Sequence, residues 1–76
     1  MDNAVILFHS SNHAMWAAEV LGETGVTCRL TSVPRHLSSD CGYCVRLQAS
    51  DLELSLRILQ REGIEVDRAE LTDKST

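Results

Sequence analysis

A chain of 76 residues makes one domain, and with 43% hydrophobic residues but Trp, Tyr and Phe present once each, its core must be aliphatic, with no room for a deep internal pocket. A formal charge of −4 and a single lysine argue against nucleic acid or an anionic membrane as partner, because those surfaces recruit clustered Lys and Arg. No basic segment precedes the apolar run Ala4 to Phe8, which is too short for a signal or a membrane span, so a cytoplasmic location is expected.

That run, Ala4-Val5-Ile6-Leu7-Phe8, reads as a first strand covered on at least one face. His9-Ser10-Ser11-Asn12 supplies helix-capping side chains, and Ala14, Ala17, Ala18 and Leu21 recur at helical spacing until Gly25. Val26, Cys28 and Leu30 alternate with Thr27, Arg29 and Thr31 as a half-buried second strand that ends by Pro34. A polar loop, Arg35 to Gly42, leads to a third strand in which Tyr43, Val45 and Leu47 point inward and Cys44, Arg46 and Gln48 outward. Ser50 and Glu53 have the spacing of a capping box for a second helix with the stripe Leu52, Leu56 and Leu59. Gly63 ends that helix, Ile64 and Val66 open a fourth strand, and residues 72–76 form a polar tail after a single domain spanning 1–71.

Glu23-Thr24-Gly25-Val26-Thr27 and Arg61-Glu62-Gly63-Ile64-Glu65 close a helix and open a strand in the same way. Two such βαβ halves predict an α+β ferredoxin-like βαββαβ sandwich, a four-stranded antiparallel sheet in order 4-1-3-2 with two helices on one face. In that fold the end of strand one, the start of helix one and the loop after strand two share one edge of the sheet. His9, Ser10, Asn12, His13, Cys41 and Cys44 are therefore expected to gather there. The amino end of a helix, with Arg35 and Arg46, would stabilise a thiolate.

An odd count of three cysteines points to buried, metal-bound or reactive thiols. Cys41 sits between Asp40 and Gly42 and reads as a reactive thiol or an incidental one. Cys41-Gly42-Tyr43-Cys44 has the spacing of a redox pair or of half a zinc site. Zinc would draw on His9, His13, His36 or Asp40, and Cys44 reads equally as an ordinary residue of the exposed sheet face. Cys28 reads as core. His9 is a base for the thiol or a strand-end residue bonded to a backbone carbonyl, and His13 a solvated residue of the first helical turn. Trp16, Leu54 and Ile58 fall outside the core stripes and mark a partner or homodimer surface, unless the helix phases differ by a residue or Trp16 packs over the sheet edge. No Gly-rich phosphate loop, carboxylate pair or nucleophile–base motif beyond the thiol–His cluster points to a stand-alone enzyme. RNA recognition on this fold would need stacking aromatics in the middle strands, where only Tyr43 stands.

The stretch Pro34-Arg35-His36-Leu37-Ser38-Ser39-Asp40-Cys41-Gly42, after a strand–helix–strand unit opening Ile6-Leu7-Phe8-His9-Ser10, resembles the selenium/sulfur carrier-like family of small bacterial proteins, from about Val5 to about Glu70. The resemblance implies that Cys41 carries sulfur or selenium as a persulfide or selenyl-sulfide, between a donor such as a cysteine desulfurase and an acceptor protein. Ser38, Ser39, Asp40 and Gly42 would then be its loop, and Pro34 and Arg35 the shoulder. Cys44 replaces the aliphatic or small residue usual in the family and suggests a resolving thiol. No cofactor or resident metal is implied. The rival expectation is a small protein-binding or regulatory module whose thiols sense oxidation or bind zinc.

Overall fold

The computed structural model describes residues 2–34, 37 and 42–72. In chain order it comprises β1 (Asn3–Leu7), α1 (Ser11–Glu23), β2 (Cys28–Ser32), β3 (Tyr43–Gln48), a 3-10 turn (Ala49–Asp51), α2 (Leu52–Arg61) and β4 (Arg68–Thr72). The sheet runs β2-β3-β1-β4 with every neighbouring pair antiparallel, the ferredoxin-like order expected. Thr72 still pairs, opposite Asn3.

Both helices pack on one face. Ile6 and Phe8 from the β1 segment and Val45 and Leu47 of β3 meet Ala14, Ala17 and Leu21 of α1 and Ile58 and Leu59 of α2. Full burial of each of the larger aliphatic or aromatic side chains stabilises the fold by roughly 1.5–3 kcal/mol. The small residues Ala14 and Ala17 let α1 lie close to the sheet. The second face has a cluster of its own, in which Val5, Leu7 and Cys44 pack beneath Val33 and Leu37. Two covered faces explain why β1 is apolar without alternation.

Both helix ends follow local chemistry. Ser10 caps α1 in an extended conformation, its Oγ accepting from the His13 N–H at 3.3 Å. Gly25 (φ +93°) and Gly63 (φ +79°) take left-handed conformations after α1 and α2, which a residue with a Cβ adopts only at a cost. Behind them the N–H groups of Val26 and Ile64 return to the carbonyls of Leu21 and Leu59, each at 2.9 Å.

Several expectations are corrected. Ser50 and Glu53 form no capping box: Ser50 lies within the 3-10 turn that runs into α2, Asp51 is the N-cap with no side-chain cap bond, and Glu53 pairs with Arg57 at 3.1 Å. Ile64 and Val66 precede β4 rather than open it, because the backbone bond from Ile64 to Leu59 folds the chain back and buries Ile64 in the core. Val26 likewise precedes β2. Ile58 is buried, so α2 is rotated toward Ser55, Ile58 and Leu59, while Trp16 and Leu54 are exposed. Leu30 and Tyr43 lie at a sheet margin and a strand end, where the helices do not cover them, and both are exposed.

Candidate functional site

The antiparallel register brings the end of β1, the end of β2 and the start of β3 to one end of the sheet, pairing Leu7 with Cys44 and Ser32 with Tyr43. The β2–β3 loop leaves and returns there. Its root is closed by Val33, whose N–H donates to the Gly42 carbonyl at 3.2 Å, and Gly42 is exposed. Cys41 and its expected neighbours Arg35, His36, Ser38, Ser39 and Asp40 lie outside the described residues. Of the loop and shoulder residues named from the sequence, Pro34 and Gly42 are described, and they flank that root.

The described loop residues Val33 and Leu37 pack against Val5, Leu7 and Cys44, on the face opposite the helices. Apolar side chains of β1 need cover on that face, and these two supply it. The expectation that Cys44 is an ordinary residue of an exposed face is therefore corrected: it has no solvent exposure, and its Sγ lies 3.7 Å from the Ser32 carbonyl oxygen.

Of the helix-end residues, Ser10 and His13 touch each other, while Cys41, around which the group was expected, lies outside the described residues. Ser10 and His13 bind each other, with Ser10 Oγ 2.7 Å from His13 Nδ1, so His13 is held and half-buried rather than solvated. His9 is exposed at the end of β1. Ser10 Oγ thus serves the helix cap and the imidazole together. Cys28 is partly buried against the helix-face core, its Sγ 3.7 Å from the Ala18 carbonyl oxygen, and burial pushes its thiol above the usual pKa. It is the less nucleophilic for that.

The face opposite the helices also carries charge that the one-dimensional pattern did not reveal. Arg29 and Arg46 are direct cross-strand partners, and Arg68 lies 4.0 Å from Glu70 on β4. A need for cover on the face without helices could have been foreseen from Val5 and Leu7, two large apolar residues that alternate onto it. The pairing of Arg29 with Arg46 could not, since it depends on register.

Among the described residues no three His, Cys, Asp or Glu side chains come together as a metal site, and no helix is long and apolar enough to cross a membrane. No curated protein and no solved structure matches the chain. The family model described as "Putative Se/S carrier protein-like" matches residues 3–69, which takes in every strand but the last residues of β4, both helices and the whole β2–β3 loop, and the chain belongs to that family.

Proposed function

We propose that the protein carries sulfur or selenium on Cys41 in the cytoplasm, taking the atom from a donor such as a cysteine desulfurase and giving it to an acceptor protein. Family membership across residues 3–69 carries this reading. The closed root of the loop supports it, because the Val33–Gly42 bond holds the residue after Cys41 at an exposed end of the sheet while the rest of the chain stays packed.

In the loading step the Cys41 thiolate attacks the outer sulfur of a donor persulfide. The donor's S–S bond breaks as the new one forms, and the donor cysteine leaves as a thiolate, with no net oxidation. In the unloading step an acceptor thiolate attacks that outer atom and Cys41 leaves in the same way. A resolving role for Cys44 runs differently: Cys44 attacks the Cys41 sulfur, hydrosulfide or hydroselenide departs, and two electrons from a cellular dithiol later reopen the Cys41–Cys44 disulfide. The burial of Cys44 favours direct transfer over that path. Pro34, Arg35, Ser38, Ser39, Asp40 and Gly42 are the proposed support of the carrier thiol, with His9, Ser10 and His13 as assisting groups.

The test is the intact mass of the reduced protein after exposure to a cysteine desulfurase and free cysteine, with the added atom mapped by fragmentation. One extra sulfur on Cys41, absent in Cys41→Ser, is expected. Equal transfer from Cys44→Ser would remove Cys44 from the reaction. No adduct, with all thiols unchanged, would overturn the carrier reading in favour of a docking or regulatory module.

A further inference from the structure

The face of the sheet opposite the helices holds two arginines side by side. Arg29 and Arg46 stand directly opposite in β2 and β3. The backbone bond from Val33 to Gly42 sets the alternation of the ladder, which makes Arg29–Arg46 a hydrogen-bonded pair with α-carbons about 5.5 Å apart. Their side chains rise from the same face side by side, an arrangement in which like charges repel.

The two arms differ in a useful way. Arg46 is half-buried, with its Nε shielded from solvent, and the residue has a further interaction within the protein. Arg29 is exposed and makes no ion pair among the described residues. In the same row Glu70 lies beyond Val5 and is 4.0 Å from Arg68. Two residues farther along, Asn3 and Gln48 are also direct partners. A cleft of about 200 Å³ is lined by Asn3, Thr27, Arg29, Arg46 and Gln48, with Cys28 and Leu47 at its wall.

We infer that this cleft binds a small tetrahedral oxyanion of the phosphate or sulfate class. Two guanidinium groups present planar forks of N–H donors that match such an anion. The Asn3 and Gln48 amides and the Thr27 hydroxyl, which line the same cleft, complete the set with neutral donors. The site uses none of the thiols, so it stands or falls apart from the carrier reading.

The experiment is a titration of the isotope-labelled full chain with inorganic phosphate, and separately with sulfate, at constant ionic strength kept with chloride, followed by amide shifts. Saturable shifts confined to Thr27–Arg29, Arg46–Gln48 and Asn3 are expected. Arg29→Gln removes charged hydrogen bonds from an exposed position and should weaken binding roughly tenfold or more, with the rest of the spectrum unchanged as proof of folding. Arg46→Lys keeps the charge, loses the fork and should weaken binding as well. A parallel titration with phosphoserine separates the sources: tighter binding than inorganic phosphate means an anion carried on a larger molecule, weaker binding a free one, and either supports the site. Shifts that never saturate, that chloride alone reproduces, or that Arg29→Gln leaves at full affinity would overturn it.

Discussion

Leu7 and Cys44 stand directly opposite each other in β1 and β3, both without solvent exposure, on the side of the sheet away from the helices. Their cover is Val33 and Leu37, at the root and in the body of the loop that carries Cys41. The state of this small cluster therefore decides whether Cys44 can react. In the native protein Cys44 should resist an alkylating reagent, and Leu37→Ala should speed its labelling severalfold while the helix-face core stays intact. Peptide mapping after timed alkylation measures this. Native-state labelling of Cys44 as fast as that of a denatured control would contradict its burial.

Cys28 gives a pH dependence. Its pKa is raised by burial, so the folded state favours the neutral thiol more than the unfolded state does. The corresponding stability is present below the ordinary thiol pKa and is lost as pH rises through the raised value. Urea melts between about pH 7 and about pH 10, spanning the usual thiol range, should show wild type losing stability faster than Cys28→Val. Parallel curves would remove the effect.

Glycine substitutions should split in sign. Gly22 lies inside α1 with open space around the position of a Cβ, and Gly22→Ala should stabilise the protein by about 0.5–1 kcal/mol through helix propensity. Gly63 has open space too, but its φ is +79°, and Gly63→Ala should destabilise by about 1 kcal/mol because an L side chain is strained there. Thermal melts of the pair suffice. Matching signs would mean that the left-handed cap after α2 does not matter.

Ser55 is fully buried on α2, and its Oγ has no hydrogen-bond partner among the described residues. An orphan hydroxyl in an apolar core costs stability, and alanine is the better helix former. Ser55→Ala should raise stability by about 1 kcal/mol, worth roughly 4–8 °C in Tm for a domain of this size. A lower Tm would show that the hydroxyl has a partner in solution.

Much of the architecture was legible because it rests on local patterns. The apolar run of β1, the Ser10 cap, the glycines after each helix and the alternation of Val45 and Leu47 each report a short-range preference. Errors fell where short-range signals conflicted with packing. Ser50 and Glu53 had the spacing of a capping box, yet the chain entered α2 through a 3-10 turn. Leu52, Leu56 and Leu59 do face the core, the first two half-buried, but the buried positions of α2 are Ser55, Ile58 and Leu59, so the face is rotated from the stripe. Ile64 and Val66 looked like a strand, but the turn after Gly63 sent Ile64 inward first.

By itself the sequence determined the element types, the βαββαβ order and the position of Cys41 in the loop before β3, because period, capping and turn chemistry act between near neighbours along the chain. Tertiary structure alone decided that Cys44 is sealed under Leu37 and that Arg29 faces Arg46. Both depend on which residues stand opposite once strands distant in sequence pair, and that register comes from burying two faces of one sheet at once.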